Sequence, residues 1–336
     1  MTKTWTQDSI NDLARSFHPV SVLLAASELD VFTPLSSKPH SAAEMARLCQ
    51  SDLRGMSILL DALAGIGLLK KSGGRYACAS GVGKVLNARR PGNTLPGLRH
   101  LANCLRRWAD LARVVRSGRP AVCPPSILGL AGDRASFIGA MHNYSEPVAE
   151  RVVAQAKPGR FRVLLDVGGG SGTWTMAFLK RQPRAKAILF DWPPVIAMAR
   201  KRLKACGFAS RVSLACGDFL KDPLPRGADL ALVSAIVHQN SREENRRLFK
   251  KISASLAPGG RILIRDVVMD DSRTRPLYGA LFAVNMLTAT SKGGTFTLRE
   301  LREDLAAAGF LGVRLVHRDP GMHSIVSATR CARACP

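Results

Sequence analysis

Acidic residues are scarce in this 336-residue chain: 25 Asp and Glu stand against 49 Lys and Arg, for a formal charge of +24. Such an imbalance makes an anionic partner worth considering. The basic residues do not gather into one tract, however. Arg89-Arg90, Arg106-Arg107, Lys180-Arg181, Arg200-Lys201-Arg202-Lys204, Arg246-Arg247 and Lys250-Lys251 fall mostly on the polar sides of expected helices, where a solvated face accounts for them. Also missing is any run near the ~20 consecutive apolar residues that a membrane span needs. The opening MTKTWTQDSINDLARSF lacks a signal-peptide core, so the expectation is a cytoplasmic protein with no membrane partner. Eight cysteines (Cys49, Cys78, Cys104, Cys123, Cys206, Cys216, Cys331, Cys335) form no Cys-x-x-Cys pair, which argues against zinc or dithiol chemistry. No metal is expected. Cys331 and Cys335 lie in the terminal CARACP, where fraying is the simpler reading. Internal repeats and long low-complexity segments are absent.

What is present divides into two patterns. From Ser9 to Asp30 apolar residues recur at helical spacing (Ile10, Leu13, Phe17, Val20, Leu23, Leu24), and Pro19 predicts a kink or break. Ser41-Ala-Ala-Glu44 reads as a capping box opening a short helix, and a second helix follows from Ser51 to Gly67. Leu68 to Cys78 reads as two short strands around Ser-Gly-Gly. Helix, helix and hairpin together suggest a winged-helix unit, which serves DNA binding or dimerisation equally well. Further helices are expected over Leu101–Val115 and Arg134–Ala156, and Lys157-Pro158-Gly159 punctuates the chain.

Beyond it, apolar strands alternate with helices: VLLDV, AILFD, VSLACGD, LALVSAIV, RILIRDVV, a helix near Leu298–Ala308, then VRLVHRD and HSIVSATR close together. This is the α/β pattern of a mostly parallel sheet with helices on both faces, its last strands antiparallel at one edge. Gly168-Gly-Gly170-Ser-Gly172 follows the first strand and opens a helix, so free backbone N–H groups face any ligand there. Asp191 ends the second strand where a carboxylate can accept both ribose hydroxyls of an adenosyl group. Asp218-Phe219 ends the third, offering an acceptor for an adenine amino group beside an aromatic wall. Three strand-end carboxylates, Asp166, Asp191 and Asp218, suit a cationic sulfonium nucleoside better than a pyrophosphate. A nicotinamide dinucleotide remains the alternative.

These motifs resemble a known family. LLDVGGGSGTWTMAF, FDWPPVI, GDFLKDPLP, VHQNSREENRRLFKKI, LAPGGRILIRDVVMD and the late Gly293-Gly294 with Thr297-x-x-Glu300 are similar to the class I-type O-methyltransferases, which include caffeate, flavonoid, acetylserotonin and bacterial polyketide or carotenoid enzymes. The resemblance implies a winged-helix-like dimerisation domain over 1–100 and a helical connector with a Rossmann-like domain over 101–336. It implies a homodimer that binds S-adenosylmethionine, releases S-adenosylhomocysteine and methylates a hydroxyl of a small aromatic or polyketide-like acceptor. Matched residue by residue, Asp166, Gly168 and Gly170 fall in the donor loop, Asp191 at the ribose, and Asp218 and Phe219 at the adenine, with Trp192 and Ser234 also expected among the cofactor-binding residues. His238 falls at the catalytic base and Asp266 at the carboxylate that orients it. Met141, His142, Tyr144, Phe282, Asn285 and Met286 match segments that face the acceptor. Independently, LALVSAIV delivers His238 to the sheet edge near the donor loop, where a side chain of ordinary pKa ~6.5 can take a proton at neutral pH.

Two departures stand out. Gln239-Asn240 follow the histidine where relatives carry Asp-Trp, and the Thr295-Phe296 region replaces a second acid after Gly-Gly. N-, S- or C-methylation on the same scaffold stays open, as does a family member that binds the donor without methylating. A nucleic-acid partner is disfavoured by Ser234-Ala-Ile-Val-His where base methyltransferases carry an Asn/Asp-Pro-Pro-Tyr type loop, though the charge leaves it open.

Overall fold

The computed structural model describes residues 4–331; Cys335 lies outside the described residues. The chain separates into two compact units, one formed by residues up to Arg106 with Cys123–Tyr144, the other by Arg107–Val122 and the chain from Ser145 onward.

The first unit is helical around a small antiparallel sheet. Helices Gln7–Arg15 and Phe17–Glu28 part at Ser16, and Pro19 sits in the first turn of the second, where its missing N–H costs nothing. Ser41 caps helix Ala42–Leu48: its side chain accepts the Glu44 N–H while Glu44 accepts the Ser41 N–H. Strands Leu69–Ser72 and Arg75–Cys78 pair across Gly73-Gly74, both at positive φ (53° and 72°), as a two-residue hairpin turn requires. His40–Ser41 adds a third short strand. Phe32, Met45, Met56, Leu60 and Leu63 fill the core. Helix Gln7–Arg15 contributes nothing to it; Ile10 and Leu13 are exposed.

The expected helix over Leu101–Val115 is two, Leu95–Trp108 and Leu111–Ser117. The earlier start uses Pro96, which is tolerated in a first turn, and the break falls at Asp110, a poor residue for a helix interior. Likewise Arg134–Ala156 is Gly129–Ser145 followed by Ala149–Ala156, because Pro147 lacks an N–H and disfavours helical geometry at Glu146.

The second unit holds the large sheet: β1 (Val163–Val167), β2 (Lys186–Asp191), β3 (Val212–Cys216), β4 (Ala228–Ser234), β5 (Leu256–Asp266), β6 (Phe310–His317) and β7 (Ser324–Arg330). Their order is β3-β2-β1-β4-β5-β7-β6. The first five run parallel, while β7 pairs antiparallel with β5 and β6. All five parallel strands therefore end on one edge, the edge at which open α/β sheets bind ligands. One core cluster gathers Trp174, Phe178, Leu232 and Leu263; the other gathers Phe249, Ile252, Ile264 and Leu305. Strand β4 stops at Ser234, short of the run LALVSAIV. Ala235 then takes a left-handed φ of 58°, and Val237–Gln239 form a 3-10 turn, so His238 rides on a turn beyond the strand. Among the described residues no helix is long and apolar enough to cross a membrane.

Candidate active site

The loop after β1 is tightly packed on one side and open on the other. A Cβ on Gly168, whose φ is 71°, would sit 2.6 Å from Ile236, and one on Gly169 2.5 Å from Leu189. A Cβ on Gly170, also left-handed, would meet nothing within 4 Å. Its N–H donates to Asp191 Oδ2 at 2.8 Å, and the Trp192 N–H donates to Asp191 Oδ1 at 2.7 Å. Burial raises the Asp191 pKa, opposed by those two N–H donors. Each of its oxygens keeps a lone pair for a further donor. Trp192 beside it is exposed. One strand further, the Asp218 side chain accepts the Leu220 N–H at 2.9 Å, and the Phe219 carbonyl accepts from Lys251 Nζ at 2.7 Å.

Asp166 behaves differently. It is fully buried, Oδ2 accepting the Thr175 hydroxyl at 2.5 Å and Oδ1 having no partner. Burial pushes its pKa up to about 6. Whatever Asp166 does for a ligand passes through Thr175 and the loop above. Ser234, also buried, accepts from Arg265 Nε at 2.7 Å.

His238 and Asp266 come together at the ends of β4 and β5. The ring Nδ1 lies 2.8 and 3.0 Å from the two Asp266 oxygens, and both side chains are buried. The His238 N–H (3.3 Å) and the Val267 N–H (2.8 Å) also donate to that carboxylate. Such an acceptor fixes the proton on Nδ1 and leaves Nε2 free to take another. Phe282 packs its ring against the imidazole edge-on at 4.8 Å. Tyr278 stacks on Phe282, the rings 5.8 Å apart and 8° from parallel.

The Gln239-Asn240 departure from the family pattern buttresses this turn. Gln239 Nε2 donates to Ala235 O at 2.9 Å, Asn240 Nδ2 to Asn245 Oδ1 at 3.0 Å, and Asn245 Nδ2 to Val237 O at 3.0 Å. Gly294 N–H donates to His238 O at 2.9 Å, and a Cβ on Gly293 would strike that carbonyl at 2.5 Å. Thr295 is buried, and Phe296 pairs with Val268. Thr297-x-x-Glu300 is a helix capping box, its carboxylate also bound to Arg273.

Of the expected acceptor residues, Phe282 meets His238, Asn285 Oδ1 accepts from Trp108 Nε1 at 3.1 Å, and Met286 is buried. Met141, His142 and Tyr144 belong to the first unit, on helix Gly129–Ser145, where the Tyr144 hydroxyl donates to Gly97 O at 3.2 Å. A hollow of about 360 Å³ in that unit, lined by Lys38, Lys84, Asn87 and Arg90, contains none of the expected site residues. Tyr278, Arg265, Trp174 and Asn245 escaped the sequence reading. For Arg265 a signal existed: a cation inside the apolar run RILIRDVV. Among the described residues no cluster of three His, Cys, Asp or Glu is arranged to hold a metal ion.

A glycine loop open above a parallel sheet, nucleoside-suited carboxylates on successive strands and a carboxylate-held histidine beside them define the class: a group-transfer enzyme built on a nucleoside-binding α/β unit. Comparison with known proteins makes this specific. Residues 108–311 match the model of an O-methyltransferase domain, and residues 11–85 that of an O-methyltransferase dimerisation domain. The chain is 30% identical over 327 residues to 3-hydroxy-5-methyl-1-naphthoate 3-O-methyltransferase of Streptomyces sahachiroi, covering 96% of this chain and 94% of that one. It is 31% identical to the tetracenomycin polyketide synthesis 8-O-methyl transferase TcmO of Streptomyces glaucescens, covering 91% of each. The crystal structure of human N-acetylserotonin methyltransferase in complex with SAM superposes with a TM-score of 0.83 at 27% identity, covering 98% of this chain and all of that one. The chain belongs to the O-methyltransferase family and is an S-adenosylmethionine-dependent O-methyltransferase with a dimerisation domain.

Proposed function

We propose that the chain methylates a hydroxyl of an aromatic, polyketide-type acceptor, with His238 as general base. The observation that carries this is the Nδ1 contact of His238 with both Asp266 oxygens, which leaves Nε2 as the proton acceptor. The relatives that act on a naphthoate and on a tetracenomycin intermediate supply the acceptor class.

The donor fits the residues present. Gly170 leaves open space where a side chain would intrude, Asp191 keeps acceptor capacity for ribose hydroxyls, and Asp218 with Phe219 and Trp192 flank the adenine position. Asp166, through Thr175, and Ser234 support the methionine end. Bound S-adenosylmethionine supplies an electrophilic methyl on a sulfonium. His238 Nε2 removes the acceptor's hydroxyl proton as its oxygen becomes the nucleophile, and Asp266 stabilises the resulting imidazolium. Alignment of the reacting atoms supplies much of the acceleration. Phe282, Asn285 and Met286 shape the acceptor's surroundings; for Met141, His142 and Tyr144 an acceptor role rests on family resemblance alone. The reading extends to a cytoplasmic homodimer, supported by the matched dimerisation domain and by exposed Ile10, Leu13, Phe17 and Val20.

The test is a panel of hydroxylated naphthoates, polyketide aromatics and amine or thiol analogues with isotopically labelled methyl donor. A methoxy product is expected. Label appearing only on nitrogen, sulfur or carbon, or nowhere, overturns the proposal.

A further inference from the structure

Arg265 stands one residue before Asp266 on β5 but is directed to the other face of the sheet, where it is 5% exposed. Its guanidinium lies 4.3 Å over the Trp174 ring, in the first turn of the helix that follows the donor loop. Nε donates to Ser234 Oγ at 2.7 Å; Nη1 donates to the Met322 carbonyl at 3.2 Å and to the His323 ring at 3.0 Å. Trp174 Nε1 in turn donates to Ser145 Oγ at 3.2 Å.

Every hydrogen-bonding and stacking partner of this cation is neutral, while the carboxylates of Asp266, Asp166 and Asp319 act on it only through space. Burial and the Arg265 charge itself hold His323 down to about 4, so at neutral pH its imidazole accepts from the guanidinium without adding charge. Burial likewise lowers Arg265 to about 10. Asp266, next in the chain, is occupied by His238 and the Val267 N–H, and Asp166 spends one oxygen on Thr175. A guanidinium withdrawn from water with no anion in direct hydrogen-bond contact is costly, and stacking on an indole and more distant carboxylates offset only part of that. With Nε and Nη1 engaged, Nη2 is the end of the guanidinium left to meet a carboxylate in a charge-assisted hydrogen bond. A core position filled for packing alone would take Leu or Ile, as its neighbours Ile262 and Leu263 do.

We propose that Arg265 is the counter-charge for the α-carboxylate at the methionine end of the methyl donor. This rests on the donor reading above. The guanidinium touches Ser234, expected beside the donor, and Trp174 at the start of the loop's helix, which places a fixed cation next to the end of the loop, with Tyr278 of the acceptor side within electrostatic reach.

Calorimetry on the full-length protein tests it with two nucleosides. S-adenosylhomocysteine carries the carboxylate; 5′-methylthioadenosine keeps adenine, ribose and sulfur but lacks the amino-acid end. Arg265→Met is expected to weaken S-adenosylhomocysteine by about 10- to 100-fold, the worth of a hydrogen bond to a charged group, while changing methylthioadenosine less than about threefold. Arg265→Lys, which keeps the charge and loses the guanidinium, should fall between. Equal loss for both nucleosides in both variants means a merely structural arginine and overturns the proposal, as does unchanged S-adenosylhomocysteine affinity. A carboxylate on the acceptor is the other source of an anion. If Arg265→Met raises KM for a hydroxynaphthoate but not for the matching naphthol, with S-adenosylhomocysteine affinity intact, the cation serves the acceptor and the donor assignment falls. Failure of the wild-type protein to bind either nucleoside overturns the donor reading itself and this inference with it.

Discussion

Asp166 and Asp266 end parallel strands of the same sheet and are both essentially excluded from water, yet their surroundings diverge. Asp266 receives an imidazole on both oxygens and two backbone N–H groups. Asp166 has one hydroxyl donor and an oxygen with no partner, and its pKa rises to about 6. Burial alone therefore does not set what a strand-end carboxylate does; the number of donors around it does. The well-supplied one, in the proposed reaction, would hold the charge that forms on His238. The poorly supplied one is harder to ionise, and carries its charge at neutral pH at a cost to the folded state.

The sharpest way to break that contrast is to remove the imidazole that gives Asp266 its role. His238→Ala should lower kcat by about 10²- to 10⁴-fold with little change in donor affinity, since general-base assistance is typically worth that much. Near-wild-type turnover on the true acceptor would leave alignment alone to explain the chemistry. Asp266→Asn should cost less, roughly 10- to 100-fold in kcat, the equivalent of one hydrogen bond to a charged group. A loss as deep as that of His238→Ala would instead mean that the imidazole no longer presents Nε2 at all.

Asp166→Asn probes the other side of the comparison through stability in the absence of donor. The folded-state pKa of about 6 lies above the ordinary carboxylate value of ~3.9, so protonation favours the folded state. That contribution is fully present below about pH 4 and is lost as pH rises through about pH 6. The wild type should therefore lose on the order of 3 kcal/mol across this window that the Asn variant keeps. Thermal melts of both proteins across pH 4.5 to 8 would show the difference widening and then levelling; a pH-independent difference would mean that the Asp166 pKa is not raised in the folded protein. The smallest effect is expected at Asn245, whose amide holds the Val237 carbonyl and whose oxygen accepts from Asn240. Asn245→Ala should destabilise by roughly 1–3 kcal/mol and lower kcat more than it alters donor binding, because the histidine turn loosens while the donor loop does not.

The strand ends and glycine turn proposed for the donor were largely legible in the sequence because they are local signals: the positions of Asp191, Asp218 and the Gly168–Gly170 loop follow from periodicity. Capping boxes at Ser41 and the two-strand hairpin were equally local. The base side was legible only in part. His238 was located correctly at the sheet edge, but a strand reading through Val237 missed the left-handed Ala235, since nothing in an apolar run marks a residue at positive φ. Pro147 stood in plain view within a helical pattern and still divided it. Arg265 was hidden for a different reason: its partners Trp174, Ser234 and His323 are far apart in the chain, and only the sheet order brings them together. Gln239-Asn240 looked like a loss relative to the family, whereas in three dimensions both side chains fasten the turn.

Helix Gln7–Arg15 buries none of its nine residues and presents Ile10 and Leu13 outward. A helix of that length falls below the ~12–15 residues at which an isolated helix becomes even marginal in water. A Thr6–Ser9 capping box closes its first turn. The segment's order in solution therefore depends on whatever covers that apolar stripe, and if the cover is a second copy of the chain, mass action governs it. Dilution would then unwind the first helix before anything happened to the sheet, and melting temperature would climb with protein concentration.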